Sequence, residues 1–576
     1  MYLPLLWKVT LSALLVSAQA PTRTLSKRQD SDLPQFVTTQ NGNFMFKGKK
    51  LDFVGTNAYW LAALNSDDDI DFTLGNMSAA GVKIVRTWAF NDVETIPVNG
   101  TWFQLISNGT TTINNGTNGL QKLDTVVRLA EKHGLFLHLS LTNNWNPRPL
   151  LDNPTAGLSI SARDVTNGTN NTLPRNTLSN DYGGMDVYVR QFGNGTNHDE
   201  FYLNPAIVAA FKNYTTQIVS RYVNSPAIFG WEIANDPRCN SSLPATKICN
   251  TTTVTTFHAD VAAHISSVDP NHLVASGNQG FFCADCPKLF PRKPVVVPPP
   301  PQVSSTPNSK RRRGVPQPLT KKKILQDRKA AFKKSRKMAL QKRTEPNAGG
   351  IRIRGRWVST ETKRQSTDDQ GVGPAFDGSQ GVDSEDILGI SNIAFSTFQL
   401  FPDQNTYGVD DPSLPKFNNT VNQGLAWIRA HADIGRLFNK PVILNGFGLV
   451  TQSNAPFFVP FNSTQAPFGP DSVNNQTQAP FGVTDQQRDD AYTQWLQAGL
   501  AAGLQGMLQY QWSQGNLTTA VGTVISPTVD GTSVSPDVTG TGVSPDDGYS
   551  IQGQGFDQAV NIIQQASQQF AADVSS

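Results

Sequence analysis

The stretch Ser225-Pro226-Ala227-Ile228-Phe229-Gly230-Trp231-Glu232-Ile233-Ala234-Asn235-Asp236-Pro237-Arg238-Cys239 decides how this chain is read. It holds a short apolar run, Ala227–Asn235, that ends in a polar pair, Asn235 and Asp236. Seven more strand-like runs occur, at Leu51–Asn57, Val82–Thr87, Leu135–Leu141, Leu273–Gly277, Ile393–Leu400, Pro441–Phe447 and Gly506–Trp512. Helix-like stretches separate them, among them Leu120–His133, Pro205–Tyr222, Thr252–Ser267, Asn422–Leu437, Asp485–Ala502 and Asp557–Phe570. Strand runs alternating with helical periodicity predict an α/β fold. Eight such runs are what a (β/α)8 TIM barrel requires. A doubly wound open sheet would alternate too, but no Gly-rich phosphate loop follows the first run.

In a barrel of this kind, chemistry gathers at the C-terminal ends of the strands. Arg86 and Trp88, Asn143 to Trp145, Asn235 and Asp236, Gln399 and Phe401, and Trp512 all stand at such ends. Residues 143–200, rich in Asn, Gly and Thr, read as a long loop over the same face.

The 576 residues suffice for one large domain with insertions. Residues 1–20 read as a signal peptide, with Lys8, the apolar run Val9–Val16 and the small-x-small site Ala18-Gln19-Ala20. Lys27-Arg28 closes a predicted propeptide, 21–28, and puts the mature start near Gln29. No later run is long and apolar enough to suggest a membrane span. Asn-x-Ser/Thr sequons at Asn76, Asn99, Asn108, Asn115, Asn167, Asn194, Asn213, Asn240, Asn250, Asn462, Asn475 and Asn516 suggest a glycosylated, exported surface. The cysteines form two local pairs, Cys239/Cys249 and Cys283/Cys286. In an oxidising compartment these are expected disulfides; the Cys-x-x-Cys pair also leaves a redox or half-zinc reading open.

Charge is unevenly spread. Residues 288–364 carry 23 Lys and Arg against 3 Asp and Glu, which leaves 25 basic and 42 acidic residues elsewhere, a net of −17. Pro298–Pro301 leads into this block. The domain plan is therefore a first barrel part at 29–287, a basic, Pro-rich insertion and linker at 288–384, and a second barrel part at 385–576. For the insertion three readings stand: a solvated disordered segment, translated non-coding sequence, or a nucleic-acid or anionic-surface binder. The shortage of interleaved aromatics argues against base stacking.

Several segments carry a resemblance to a known family. The stretch 225–239 resembles the strand-four signature of glycoside hydrolase family 5 (clan A), and is closest to fungal-type mannan endo-1,4-β-mannosidases. Gly55–Trp60 resembles the family's first strand, Val85–Phe90 its second, and Tyr182–Tyr188 the loop before helix three. Ile393–Asp403 resembles strand six, Lys440–Gly448 strand seven, and Asp546-Asp547-Gly548-Tyr549 also falls in order. The resemblance implies β-glycoside hydrolysis with retention by two carboxylates, one acid/base and one nucleophile, and no cofactor or metal.

Both positions depart from the family pattern. The acid/base position is Asp236, where the family has Glu; its carboxyl is retracted by about 1.5 Å, enough to cost on the order of 100-fold. The nucleophile position is Gly446, preceded by Asn445, and glycine offers no attacking group. The family's strand-six His and Tyr are Gln399 and Phe401 here. The resemblance implies sugar contact by Asn235, Arg86 beneath the centre, and a stacking platform at Trp512. Trp88 is a further cleft aromatic, although core packing would also account for either Trp. Glu232 reads as structural, and Asp186, Asp199 and Glu200 as loop acids within reach of the cleft.

The expectation is a secreted, monomeric barrel that binds β-mannan or a related polysaccharide and is catalytically impaired. An active hydrolase, slow or inverting, is the alternative. Anion or nucleic-acid binding through the basic block is a third.

Overall fold

The computed structural model describes residues 35–97, 100–149, 178–292, 373–458, 482–518, 541–551 and 557–573, with short pieces at 168–169, 176, 350–353 and 356–359. The predicted signal peptide, the propeptide, most of the basic insertion and the sequons at Asn99, Asn167, Asn462 and Asn475 lie outside these residues.

Eight parallel strands form one sheet: β1 (Phe53–Asn57), β2 (Ile84–Trp88), β3 (Phe136–Ser140), β4 (Ile228–Glu232), β5 (Leu273–Ala275), β6 (Ser396–Leu400), β7 (Val442–Phe447) and β8 (Gly506–Gln509). Their order is β5-β4-β3-β2-β1-β8-β7-β6, so β8 pairs with β1. The remaining seam, between β5 and β6, is bridged by Ala394 N to Val274 O at 2.8 Å and Gln399 N to Gln279 O at 3.1 Å. The fold is a (β/α)8 TIM barrel, and each predicted strand run coincides with one of its strands, β2 ending one residue beyond its run.

Among the described residues these helices flank the strands: α1 (Asp67–Ala79), α2 (Leu120–Lys132), α3 (Pro205–Tyr222), α4 (Thr251–Val268), α5 (Ser384–Gly389), α6 (Lys416–Phe438), α7 (Asp485–Ala502) and α8 (Asp557–Asp573), with the shorter helices Met185–Phe192 and Glu200–Leu203 in the loop before α3. Local chemistry sets their starts. Ser66 caps α1 ahead of three aspartates, and Thr484 with Gln487 forms a reciprocal capping box on α7. Gly503, at φ +79°, ends α7 in the left-handed conformation that glycine adopts without strain.

Strand alternation divides the core. Phe53, Ile84, Phe136, Phe229, Phe395, Ile443 and Leu508 form one buried cluster, joined by Phe44 from an N-terminal hairpin. The Phe44 ring lies 5.0 Å from Phe229 and 5.2 Å from Phe395. Two residues on along β2, β3 and β7, the same faces present Arg86, His138 and Asn445. The other faces pack into a second cluster with the helices. An apolar floor thus lies under a polar layer, and the site is built above that layer.

The edges of the insertion belong to the barrel. Phe282 N donates to Ala375 O at 2.9 Å, Cys283 pairs with Asp377 in an isolated bridge, and Phe290 N donates to Asp386 at 2.6 Å. Residues 288–292 and 373–384, grouped with the insertion in the sequence reading, therefore pack on the barrel. Both cysteine pairs are disulfides, Cys239–Cys249 and Cys283–Cys286. Among the described residues no helix is long and apolar enough to cross a membrane.

Candidate active site

Glu232 ends β4 fully buried, in the polar layer. Arg86 from β2 grips it with two hydrogen bonds, Nε at 3.0 Å and Nη2 at 2.5 Å. Asn445 Nδ2 donates to it at 2.5 Å, and His138 Nε2 lies 3.2 Å away. Burial pushes the Glu232 carboxyl up, but the charge of Arg86 and the contact with His138 more than offset this and hold it well below the usual range. This carboxylate is a structural anchor. Nη1 of Arg86 donates to Asn57 at 2.9 Å and Nη2 to Asn235 Oδ1 at 2.7 Å, so one guanidinium ties β1, β2 and β4 together.

Asn235 lies above this layer. Its amide donates to Asn143 at 2.8 Å, and Gln399 Nε2 donates to its oxygen at 3.2 Å. Gln399 in turn accepts from Gln279 at 2.9 Å. Asp236, only 2% exposed, follows at φ +52°. One carboxylate oxygen accepts from Arg238 Nε at 2.7 Å and the other from Trp145 Nε1 at 2.8 Å. Arg238 also sits over the Phe281 ring at 4.8 Å and the Trp145 ring at 5.6 Å. Both Asp236 oxygens are thus engaged as acceptors.

Across the cleft, Gly446 lies opposite Gln399 in the β6–β7 ladder. A Cβ built on Gly446 would meet Phe401 Cζ at 3.2 Å and Asn57 Nδ2 at 3.8 Å. The Phe401 ring packs edge-on to Tyr510 and against Tyr549, both at 5.3 Å.

One cavity joins these residues. Arg86, Trp88, Asn235, Asp236, Gln399, Phe401 and Gly446 all line it, so most of the residues singled out in the sequence share one concave site. Trp512 is not among its lining residues. β8 ends at Gln509, earlier than the predicted run, and the lining ring is Tyr510. Trp512 is buried, its backbone N bonded to Asn57 O at 2.9 Å. The loop acids do not line the cavity either. Asp186 binds His198 at 2.7 Å and Ser241 at 2.6 Å, Asp199 holds Thr246, and Glu200 accepts from Asn194 N. Their buried or local partnerships explain why.

The sequence reading did not assign a site role to Asp547. It lines the same cavity, accepting from Tyr510 Oη at 2.7 Å and Ser179 Oγ at 3.0 Å. Its Oδ1 has no hydrogen-bond partner among the described residues. Burial pushes its carboxyl up to about 6, against the pull of those two donors. The only sequence signal was its place in Asp546-Asp547-Gly548-Tyr549. Among the described residues no three His, Cys, Asp or Glu side chains are grouped to hold a metal ion.

Comparison with known proteins shows what the barrel is similar to. Residues 34–293 match the family model described as glycoside hydrolase family 5 β-mannosidase-like. Mannan endo-1,4-beta-mannosidase A of Aspergillus aculeatus is 40% identical over 247 residues, 43% of this chain and 54% of that protein. Mannan endo-1,4-beta-mannosidase F of Aspergillus clavatus is 40% identical over 248 residues, 42% of this chain and 47% of that protein. The chain thus spans about half the length of the curated relatives it matches. Two solved structures share the fold. The endo-1,4-beta-mannanase of Rhizomucor miehei has a TM-score of 0.55 at 23% identity, with 93% of this chain and 99% of that one covered. The endo-beta-1,4-mannanase of Thermotoga petrophila has a TM-score of 0.51 at 21% identity, with 91% of this chain and 77% of that one covered. Residues 34–293, set in this barrel, are thus similar to the β-mannosidase-like branch of glycoside hydrolase family 5.

Proposed function

We propose that this protein is an exported, β-mannan-binding member of glycoside hydrolase family 5 that has lost hydrolysis by double displacement. The observation that carries the reading is Gly446. By the family resemblance it holds the nucleophile position, and beside it are a phenyl ring and an amide, neither of which can attack an anomeric carbon. Asp236 supports the same reading, because both of its oxygens already accept hydrogen bonds from Arg238 and Trp145. A cleft lined by Trp88, Trp145, Phe401, Tyr510 and Tyr549 retains rings suited to sugar faces, and its amides suit sugar hydroxyls. Export is supported by the N-terminal reading, the sequons and the two disulfides.

The test pairs calorimetric binding to soluble mannan with an assay for new reducing ends. Binding without release is expected. Covalent trapping of a fluorosugar on the protein, or release abolished by Asp236→Ala, would overturn the proposal.

Asp547 favours a second reading. A carboxyl in the cleft, held nearer neutrality by burial, could activate water for an inverting hydrolysis with Asp236 as the acid. That reading requires release that is lost in Asp547→Asn and that yields the inverted anomer by NMR.

A further inference from the structure

Apart from the residues that line the cleft, a groove opens between the short helix Glu200–Leu203 and the N-terminal ends of α3 and α4. Leu203 and Val208 give it an apolar side, Phe257 its floor, and Thr253 and Thr256 its hydroxyls. Its one carboxylate, Asp260, is paired with Lys212 at 2.6 Å. Such a lining suits a neutral, amphipathic ligand with hydroxyls on its edges and C–H groups on its face.

Asn250 forms part of the rim and begins the sequon Asn250-Thr251-Thr252. It caps α4 with its oxygen, Oδ1 accepting from Thr253 N at 3.1 Å. Nδ2 makes no hydrogen bond among the described residues, so the cap does not compete with modification of that nitrogen. Asn76 differs, since its Nδ2 donates to Gln514 at 3.1 Å. The disulfide at Cys249 fixes the backbone just before Asn250. Two bare apolar side chains stand near the sequon: Ile248, 68% exposed two residues before it, and Leu203, 47% exposed in the groove. Exposed apolar surface of this kind, next to an attachment point, is what a covering ligand would remove from water.

We propose that Asn250 carries an N-linked glycan whose first sugars lie in this groove over Leu203. The proposal rests on the export reading. In the modification, Nδ2 attacks the anomeric carbon of a lipid-pyrophosphate-linked oligosaccharide. The new N–C bond replaces the C–O bond to pyrophosphate, the lipid pyrophosphate leaves, and the nitrogen gives up one proton. Tethering then makes docking intramolecular, so weak contacts suffice.

The full chain is secreted from a eukaryotic host and its glycopeptides are mapped by mass. Asn108, in an exposed hairpin turn, is the comparison site. Modification at both Asn250 and Asn108 is expected. If no sequon is modified, the export reading fails. If Asn108 is modified and Asn250 is not, this proposal fails while export stands. Docking is read by hydrogen exchange over 200–208, expected to be about threefold slower in the glycosylated protein than after trimming to a single sugar and in Thr252→Ala, which keeps the Asn250 cap. Equal exchange in all three, with Asn250 occupied, overturns the groove as the glycan's seat. Thr110→Ala, which removes the Asn108 sequon, is expected to leave that exchange unchanged.

Discussion

The Asp236 carboxylate lies 2.7 Å from Nε of Arg238, two residues further along the loop that leaves β4. Both side chains are buried, and the contact directs the carboxylate toward Arg238 and Trp145. A longer side chain at 236 would carry its carboxyl past this pair.

On the proposal that 236 and 446 hold the two catalytic positions, glutamate at both should confer turnover. Gly446 is not in the left-handed region, and the Phe401 ring need yield only a few tenths of an ångström to admit a Cβ. The double variant Asp236→Glu, Gly446→Glu is expected to release reducing ends from mannan at least about 100-fold faster than wild type. Gly446→Glu alone should gain less. The check is a sugar-release assay, with loss of the gain in Glu→Gln revertants at 446.

The two aromatic residues near the end of β8 should behave differently. Tyr510→Ala is expected to weaken mannan-oligosaccharide binding by about 3- to 10-fold, because its ring lines the cleft. Trp512→Ala should leave affinity within about twofold and lower the melting temperature instead, because Trp512 is buried and does not line the cleft. Calorimetry and scanning calorimetry on the same preparations separate the outcomes.

Breaking the Arg86–Glu232 pair should damage the whole barrel. Glu232→Gln keeps the shape but leaves a buried guanidinium uncompensated, at a cost of about 3–5 kcal/mol in urea unfolding. Binding should weaken too, since Arg86 also holds Asn235. An unchanged unfolding midpoint would contradict the anchoring role.

Three buried carboxyls set the pH response. Burial pushes Asp403 up to about 7, Asp546 up to about 7 and Asp547 up to about 6. In the unfolded chain each titrates near 4. Between about pH 4 and 7 the folded state therefore binds more protons, and stability falls as pH rises across that window. The melting temperature is expected to be several degrees higher at pH 5 than at pH 8. Asp403→Asn, which still accepts from Val450 N, should narrow the difference.

Which parts of this were legible in the sequence follows from where the information is local. Strands buried on both faces read as short apolar runs whatever their partners, so all eight were visible. α1 was not picked out, because the Asp67–Asp69 run and Gly75 mask its apolar face. Strand ends were less certain than strands. The run at 506–512 concealed where β8 stops, so the sequence pointed to Trp512 where the ring that lines the cleft is Tyr510. Positions 236 and 446, which the resemblance reads as the acid/base and nucleophile positions, could be singled out because they sit inside recognisable motifs. The hold of Trp145 on Asp236 and the burial of Asp547 depend on packing between loops that are distant in sequence, which no local pattern encodes.

The seam between β5 and β6 has a consequence for the architecture of the chain. Residues on its two sides, Phe282 with Ala375 and Lys288 with Asp383, are held together by contacts independent of what connects them. The described residues on either side of 293–372 therefore meet in the barrel wall. Doubling the length of a link between such points adds only about 0.6 kcal/mol of closure entropy. The barrel can accept long foreign sequence there, or new chain ends made by circular permutation, because its circumference closes without that link.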